Sequence, residues 1–364
     1  VAVQSLMGGD AFAVAIVGGG HVGLALARML GDTGDYGVRV ADCTEEACAR
    51  AMASGLETHR LDASSPTQLA AFLDGAAAVV AAVPDRIVGR VAAAAREAGL
   101  HYLDFSKTDD AMAAMARPDG PAFLPACGVS PGLTDSVVGH FARGADGPID
   151  VEIAIGAIPA RRTNRLGYSL IWNLDGLFSE YTAPGEAIAD FEVVEVAPLS
   201  NCISVTVGGK AYEAFCTDGV MGSVRAFAHS NVRSLVCRTI RYPGHLDYML
   251  LLLDDLRLQY RRDLLHTVLK NGLPDAEHDM VLLHATARAE DGGTLRRLTM
   301  RIEAQPGKGS ALAVGSAAHA AFLIDEIRDG RFTRATAATD RLSGFLRSRF
   351  AAGLVHVEDA AADA

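Results

Sequence analysis

Short apolar runs alternate with segments of helical periodicity through the first third of the chain. Six runs have the length and composition of buried strands: Ala13–Val17, Val38–Asp42, His59–Asp62, Ala76–Ala82, His101–Phe105 and Ala122–Pro125. Helical segments separate them, such as Glu45–Ala53, Pro66–Leu73 and Ile87–Ala98. Because strands that alternate with helices pair in parallel, the pattern predicts a Rossmann-type, doubly wound parallel sheet.

The pattern changes beyond Val151, where apolar positions recur at every second residue, as in half-buried strands. A Gly-Gly pair joins Cys202–Val207 to Lys210–Thr217 and predicts a two-residue hairpin. A second hairpin is predicted for Met280–Ala289 and Leu295–Glu303. The fold class that follows is α/β, with a second, α+β domain built on a mixed, largely antiparallel sheet.

A glycine-rich turn lies between the first strand and an alanine-leucine helix. Gly18 permits the tight turn, Gly20 lets the backbone approach a pyrophosphate, and Gly23 lets the helix pack close to the strand. His21 and Val22 begin the helix, whose free N–H groups attract phosphate. Strand, G-x-G-x-x-G and helix in this order predict a dinucleotide site.

The second strand ends at Asp42, about 20 residues past the glycine motif. A carboxylate at that place binds the ribose 2′-OH and repels a 2′-phosphate, so we predict NAD rather than NADP. The alternative is that Asp42 only caps the next turn.

The carboxyl ends of the other strands are also expected near the cofactor, because ligands of doubly wound sheets bind there. Asp62 ends the third strand, and Val83 and Pro84 follow the fourth. Asp104 ends the fifth strand, and Cys127 follows the sixth. We assign these positions to the cofactor site, with Cys127 packed beneath the nicotinamide, and Asp104 also to catalysis.

Composition restricts the functional class. The chain has 364 residues and a net charge of −11, which argues against nucleic acid as a partner. No run of 18 apolar residues and no secretory signal are found in the sequence, so no membrane association is expected. Six scattered cysteines without a C-x-x-C pair fit a reducing cytoplasm and predict no metal site.

The domain bounds are placed where the pattern changes. Residues 1–135 are predicted to form the NAD-binding domain, and residues 136–312 a substrate-binding and dimerisation domain. Helices within 313–364 are expected to pack back on the first domain. A helix is predicted over Tyr248–Leu258, and the acidic tail after Val357 is predicted to fray. A homodimer through the antiparallel sheet is predicted.

Four polar blocks beyond the sixth predicted strand are more specific in sequence than an ordinary loop requires. They are Cys127–Gly132, Tyr168…Trp172…Asp175-Gly176, Glu213-Ala214-Phe215…Asp218-Gly219 and Arg241–His245. Together with the glycine turn, these blocks over residues 12–330 resemble the saccharopine dehydrogenase family. Within that family they most resemble the bacterial lysine 6-dehydrogenase branch.

This resemblance implies NAD-linked oxidation at a carbon that bears nitrogen. In the lysine branch, hydride leaves the ε-carbon of L-lysine and the imine is hydrolysed. The 6-semialdehyde product cyclises to a piperideine carboxylate, and ammonia is released. Where lysine-oxidising relatives carry acids after Asp104, this chain has Phe105-Ser106-Lys107-Thr108. Because Lys107 would repel a cationic ε-amine, the identity of the amine stays open.

The implied chemistry needs a donor fork for the substrate carboxylate and a base for its amine. Arg241 is the candidate for the carboxylate, with Arg238 second. His245 is the candidate acid/base, and Asp104 holds the amine or acts as base. Three further residues are predicted to bind the substrate: Tyr168, Trp172 and Thr217.

Structural alternatives stand beside each assignment. His245 follows Pro-Gly and suits a helix cap, Arg241 suits a salt bridge, and Asp104 suits a cap of the turn at Ser106. Tyr168 and Trp172, four residues apart, suit a single apolar ridge.

Two other functions stay open. A saccharopine-type or opine-like dehydrogenase, which joins or splits an amino acid and an aldehyde, would bind two carboxylates. Arg161, Arg162 and Arg165 keep that function open. A non-catalytic dinucleotide-binding sensor would keep the glycines without needing the block around Arg241.

Overall fold

The computed structural model describes residues 11–117, 119–274, 278–303, 307–332 and 341–361. The chain divides into two compact units, one within Val1–Gly128 and Ser316–Thr333, the other within Val129–Gly315 and Arg334–Ala364. In this division the described residues 341–361 lie in the second unit. The predicted domain bounds and the predicted homodimer stay predictions.

The first unit contains a six-stranded parallel sheet in the order β3-β2-β1-β4-β5-β6. Its strands are β1 (Phe12–Val17), β2 (Tyr36–Asp42), β3 (Glu57–Arg60), β4 (Ala78–Ala81), β5 (His101–Asp104) and β6 (Phe123–Leu124). Val14 to Val17 have almost no exposed surface, as expected for a strand covered on both faces. The order reverses between β1 and β4, where doubly wound sheets bind their ligands.

Helices connect these strands and cover the sheet. They are α1 (His21–Gly31), α2 (Glu45–Ala53), α3 (Pro66–Leu73), α4 (Asp85–Ala98) and α5 (Asp110–Met115). The core combines apolar side chains of the strands with those of α3 and α4. Residues 316–328 of a later helix also belong to this unit, where the Tyr36 hydroxyl donates to Asp325 Oδ1 at 2.5 Å.

The second unit contains a nine-stranded sheet. Along the main path its order is β10-β11-β12-β7-β13-β14-β15, with β8 paired to β12 and β9 paired to β8. The strands are β7 (Ile149–Pro159), β8 (Gly185–Ala189), β9 (Glu192–Val196), β10 (Ser200–Val207), β11 (Lys210–Cys216), β12 (Val232–Arg241), β13 (Asp279–Ala289), β14 (Thr294–Glu303) and β15 (Val355–Ala361). Only β7 and β12 pair in parallel among these strands.

Two apolar clusters lie on opposite faces of this sheet. Phe215 packs with side chains of helices α7 (Leu174–Thr182) and α9 (Arg262–Gly272), whereas its neighbour Ala214 packs with Ile240 and Met280 on the other face. Successive side chains of a strand alternate between faces, so β11 contributes to both clusters. The helices of the second half of the chain are α6 (Leu133–Arg143), α7 (Leu174–Thr182), α8 (His245–Leu250), α9 (Arg262–Gly272), α10 (Ala311–Arg328) and α11 (Arg341–Arg347).

These elements confirm the predicted fold class. The first unit is a doubly wound parallel sheet, and the second is an α+β unit with a mixed, mainly antiparallel sheet. Both predicted hairpins are present, β10–β11 and β13–β14. Within the described ranges, no helix combines the length and the apolar character that a membrane crossing requires.

The helix predicted over Tyr248–Leu258 is wrong in its bounds. Helix α8 begins three residues earlier, because the Glu213 carboxylate accepts hydrogen bonds from the backbone of Gly244 and Leu246 at 2.8 and 2.6 Å. These bonds satisfy N–H groups at the start of the helix. The chain then continues as a π-helical turn over Leu251–Asp255.

The tail beyond Val357 is also predicted wrongly up to residue 361. It forms the end of β15, which pairs with the free edge of β14. Arg296 donates from Nε and Nη2 to the two carboxylate oxygens of Asp359 at 2.8 and 2.6 Å. A bidentate ion pair of this kind holds the acidic tail that its composition alone suggested would fray.

Candidate functional site

The glycine turn has the geometry that its sequence predicts. Gly18 has φ +111°, and a Cβ there would lie 2.1 Å from the Ala82 carbonyl oxygen. A Cβ on Gly23 would lie 2.0 Å from the Gly18 oxygen, so only glycine lets α1 pack this close to β1. Gly20 faces open space, with no atom within 4 Å of an added Cβ. His21 and Val22 then begin α1, where free backbone N–H groups attract phosphate.

Asp42 stands at the end of β2, beside this turn. Its Oδ2 accepts from the Gly19 backbone at 2.8 Å, and its Oδ1 accepts from the Thr44 backbone and hydroxyl at 2.8 Å each. Burial by itself would raise the pKa of Asp42. The hydrogen bonds from Thr44 and Gly19 outweigh burial and hold this pKa below its usual range. The carboxylate is therefore charged at neutral pH, as the predicted contact with a ribose requires.

The residues predicted to bind the cofactor after β2, β3 and β4 lie at the carboxyl ends of these strands, which are on the same side of the first sheet because the strands are parallel. Asp42 ends β2 and Val83 follows β4, the two strands that flank β1, and Pro84 occupies the N-cap position of α4. Asp62 lies past the edge strand β3 and is exposed, and its Oδ1 accepts from the Ser64 backbone at 2.8 Å. In the strand order, Asp42 follows a neighbour of β1, whereas Asp62 is one strand farther from β1 and its glycine turn.

Cys127 is fully buried after β6. Its thiol donates to the Leu124 carbonyl at 3.1 Å, and its carbonyl accepts from His319 Nδ1 at 2.9 Å. Its backbone N–H donates to the Asp104 carbonyl at 2.7 Å. These contacts hold Cys127 inside the first unit, and its place beneath the nicotinamide stays a prediction.

Asp104 is also fully buried, at the end of β5. Its Oδ2 accepts from the Tyr102 hydroxyl at 2.7 Å, and its Oδ1 accepts from the backbone of Ser106 and Ala126 at 2.9 and 3.3 Å. Burial raises the pKa of Asp104 to about 6, although these hydrogen bonds oppose it. The Ser106 contact is the turn cap that stood as the structural alternative, so the carboxyl holds two loops together.

Replacing Asp104 with asparagine is expected to remove a pH dependence of stability. The folded-state pKa lies above the unfolded value of 3.8, so the folded protein binds the extra proton, and stability falls as pH rises from about 4 to about 6. This difference in pKa corresponds to about 3 kcal/mol in the free energy of unfolding. Asparagine keeps the shape, so Asp104→Asn should unfold at a free energy independent of this titration.

Urea denaturation from pH 4 to pH 8 measures the effect, with the exposed Asp32→Asn as control. An unchanged pH slope in Asp104→Asn would show that burial does not perturb this carboxyl. If Asp104 is instead the base, the variant keeps its stability and loses turnover.

A buried polar cluster in the second unit gathers three of the predicted site residues. We call Tyr168, Glu180, Tyr181, Arg241 and His245 the Arg241 cluster. Arg241 is only 3% exposed and donates from Nε to the Tyr181 hydroxyl at 2.7 Å. Its Nη1 donates to the Ile240 carbonyl at 2.9 Å, and its Nη2 lies 3.4 Å from Glu180 Oε1. The guanidinium also faces the rings of Tyr168 and Tyr181, 5.3 and 5.6 Å from their centroids.

His245 begins α8 and has no exposed surface. Its Nδ1 donates to the Leu166 carbonyl at 2.9 Å, so Nε2 accepts from the Tyr181 hydroxyl at 2.9 Å. Burial, and then the charge of Arg241, lower the pKa of His245 to about 3. A neutral, enclosed imidazole with both nitrogens engaged is a poor proton carrier. The structure therefore argues against the predicted acid/base role and favours a positioning role.

Glu180 is the functional candidate that sequence reasoning missed. Its Oε1 accepts from the Thr239 hydroxyl at 2.8 Å and from the Thr217 hydroxyl at 3.4 Å, beside Arg241. Burial raises the pKa of Glu180, although the charge of Arg241 opposes it. Among the described residues, no hydrogen bond to Oε2 is found, and the side chain is 14% exposed. Oε1 is thus held by its hydrogen-bond partners, whereas Oε2 is available to contact a ligand.

A signal for Glu180 exists in the sequence. It follows Leu177 by three residues and therefore lies on the same face of α7 as this core residue. An acid on the apolar face of an amphipathic helix is unusual, because burying a charge is costly unless it is paired.

Tyr168 and Trp172 contact each other through a polar bond and precede α7, so they do not form the apolar helical ridge that their spacing suits. The indole N–H of Trp172 donates to the Tyr168 hydroxyl at 3.0 Å. A Cβ on Gly176 would lie 2.4 Å from the Trp172 ring, so this glycine lets the indole rest on the start of α7. Tyr168 is buried, whereas 36% of Trp172 is exposed and can form a wall for a ligand.

The structure separates Arg238 from the Arg241 cluster. Arg238 and Arg241 are three residues apart on β12. Because successive side chains of a strand alternate between faces, these two project to opposite faces of the sheet. Arg241 contacts Glu180, whereas Arg238 donates to Glu152 Oε1 at 3.1 Å on the other face. Thr217 does contact the Arg241 cluster, because its hydroxyl lies 3.4 Å from Glu180 Oε1 and 2.6 Å from the hydroxyl of Thr239.

Two family models match almost the whole chain. The model described as "Saccharopine dehydrogenase NADP binding domain" matches residues 14–121. The model described as "Saccharopine dehydrogenase C-terminal domain" matches residues 128–338. The first match includes the glycine turn and Asp42, and the second includes the Arg241 cluster.

Solved structures share the fold. The chain is similar to apo saccharopine dehydrogenase (L-Glu forming) from Saccharomyces cerevisiae, at 17% identity and a TM-score of 0.77, over 96% of this chain and 100% of the yeast chain. A probable dehydrogenase from Thermotoga maritima aligns over 92% of this chain and 93% of its own, at 10% identity and a TM-score of 0.45. At such identities, only the yeast match carries an argument, and it concerns the fold.

Proposed function

Because the chain belongs to the saccharopine dehydrogenase family of dinucleotide-binding oxidoreductases, we propose that it oxidatively deaminates an amino acid with NAD. The proposed substrate is L-lysine, oxidised at the ε-carbon. The balanced reaction converts the amine, NAD⁺ and water into the aldehyde, ammonia, NADH and a proton. The aldehyde product, a 6-semialdehyde, closes on its own α-amine to a piperideine carboxylate.

The carboxyl of Glu180 is the observation that carries this proposal. An ammonium group must lose a proton before its carbon can give up hydride, so a nearby base is required. Glu180 has one anchored and one available oxygen, and its burial raises its pKa, which makes it a stronger base than an exposed carboxylate. We assign Glu180 to binding the substrate amine and accepting its proton.

The neighbours of Glu180 are assigned positioning roles. Arg241 holds the carboxylate from one side, and the hydroxyls of Thr217 and Thr239 hold it from another. His245 fixes the Tyr181 hydroxyl, which accepts from Arg241. This arrangement replaces the predicted direct contact of Arg241 with a substrate carboxylate, since the guanidinium is 3% exposed.

The first unit supplies the dinucleotide site. When bound there, the dinucleotide would supply the hydride acceptor for the carbon that bears the amine. The turn at Gly18–Gly23 would hold the pyrophosphate, and Asp42 would bind the ribose hydroxyls. We propose NAD over NADP because the charged Asp42 would repel a 2′-phosphate.

Replacing Asp42 with asparagine is expected to change the choice of cofactor. Loss of the charge should raise the KM for NAD about 10-fold, the size of a charged hydrogen bond, and should lower the KM for NADP. Initial rates with each cofactor measure both effects. Glu57→Gln, which removes an exposed acid at the start of β3, is the control. A wild-type preference for NADP would contradict the proposal.

The substrate is tested by NADH absorbance with a panel of amines at alkaline pH, where the amines are neutral. Release of ammonia with lysine is the expected result. A signal with a different amine would correct the substrate and keep the reaction class. NAD(P)H consumption with an amino acid and an aldehyde would instead support the saccharopine-type reaction, and no turnover in any assay would support the sensor.

A further inference from the structure

A cavity of about 330 Å³ lies on the face of the second sheet that points away from the Arg241 cluster. We propose that this cavity binds a small dianion, a molecule with two carboxylates or a phosphate group. Its volume lies at the lower end of the range of about 300–1,000 Å³ that is typical of small-molecule sites. The proposal does not depend on the reaction proposed above.

The cavity is basic in a chain that is acidic. Three arginines line it, Arg238, Arg288 and Arg297, against the single carboxylate of Glu152. The whole chain carries a net charge of −11, so this concentration of positive charge on one surface is not a consequence of composition. A concave surface lined by one sign of charge concentrates ions of the opposite sign.

Two of the guanidinium groups are held in place. Glu152 accepts from Arg238 Nη1 at 3.1 Å through Oε1 and from Arg288 Nη1 at 2.9 Å through Oε2. Arg238 is 8% exposed, and its Nε donates to the Asn201 carbonyl at 3.2 Å. Side chains that are already fixed lose little freedom when a ligand binds, which favours affinity.

Unused donors point to an anionic ligand. Arg297 is exposed, and within the described ranges no hydrogen bond or ion pair is found for its side chain. Glu152 neutralises one of the three charges, so two remain for a ligand. Thr286, which pairs with Glu152 of β7 and so lies on the same face, also lines the cavity, and its hydroxyl can donate to carboxylate or phosphate oxygens. The guanidinium fork suits both anions.

The register explains why this site is separate from the Arg241 cluster. Arg238 pairs with Ala154 of β7, which in turn pairs with His284 of β13. All three line the cavity, whereas Thr239, the next residue of β12, contacts Glu180. Ligands of the two faces therefore do not compete for the same side chains.

The experiment is isothermal titration of the full chain with succinate, glutarate and inorganic phosphate, at low and at moderate salt. We expect one saturable site per chain for at least one dianion. Arg297→Gln is expected to weaken its binding at least 10-fold. Because Arg297 is exposed, the variant is expected to fold, and circular dichroism checks this.

Arg301→Gln is the matched control. Arg301 lies on the same face of β14, four residues further along, and pairs with Glu303 outside the cavity. Its replacement should leave dianion affinity within twofold. Comparison of the dicarboxylates with phosphate identifies which anion the cavity prefers. Absence of saturable binding, or equal losses in Arg297→Gln and Arg301→Gln, would overturn the proposal.

Discussion

The substitution Glu180→Gln is expected to lower kcat by about 10²–10⁴-fold, the contribution of a positioned base. Glutamine keeps the size of the side chain but cannot accept the proton of a substrate ammonium. The anchoring hydroxyls of Thr217 and Thr239 still find an amide oxygen. Wild-type kcat should also fall at acidic pH, because a protonated Glu180 cannot act as base, and this acidic limb should be absent in the variant.

Thermal melting and two further variants distinguish a loss of catalytic activity from a loss of folded structure. Glu180→Gln leaves the buried Arg241 without its charge partner, which costs about 3–5 kcal/mol when a pair is fully buried. Thermal melting by circular dichroism therefore accompanies the kinetics. Glu180→Asp keeps a carboxylate and should retain the acidic limb at reduced kcat. Glu186→Gln removes an acid that pairs with the exposed Arg225 and should leave kcat unchanged.

A kcat for Glu180→Gln within threefold of wild type would rule out Glu180 as the base. In that case, a large loss in Asp104→Asn at unchanged stability would transfer the role to the first unit.

Gly23→Ala is expected to abolish dinucleotide binding, with at least a 100-fold loss of affinity. The new Cβ would lie 2.0 Å from the Gly18 carbonyl oxygen, so α1 must move away from β1. Overpacking of this kind destabilises a fold by about 3 kcal/mol. It also displaces the N–H groups that would hold the pyrophosphate.

Fluorescence titration with NADH measures the affinity, and urea denaturation measures the unfolding free energy. Gly31→Ala is the control in the same helix, because no atom lies within 4 Å of an added Cβ there. That change should leave affinity intact and stabilise the helix by up to about 1 kcal/mol. NADH binding by Gly23→Ala at wild-type affinity would refute the assigned role of the turn.

Local patterns were enough to predict the first unit. Apolar runs, the glycines at 18, 20 and 23 and the acid at Asp42 each act over a few residues, so their geometry follows from the nearby sequence. The two hairpins were predictable for the same reason. The acidic tail was not, since its pairing with β14 depends on Arg296, more than 50 residues away in sequence.

The sequence predicted most of the residues that form the site of the second unit, but it predicted only some of their roles. Tyr168, Thr217, Arg241 and His245 do come together, yet burial changes what two of them can do. His245 has an ordinary pKa near neutrality as a residue type, and enclosure lowers it to about 3. Arg241 is a natural carboxylate ligand, but its donors are already engaged by Tyr181, Ile240 and Glu180.

The amino-acid order was sufficient for the parallel sheet, the dinucleotide turn and the choice of residue types that carry the chemistry, because these follow from short-range periodicity and backbone sterics. Folding in three dimensions determined the surroundings of these residues. It buried His245, paired Arg241 with Glu180, and turned Arg238 to the opposite face of the sheet. Charge and proton affinity depend on surroundings that residues distant in the chain provide, and a linear pattern does not contain those distances.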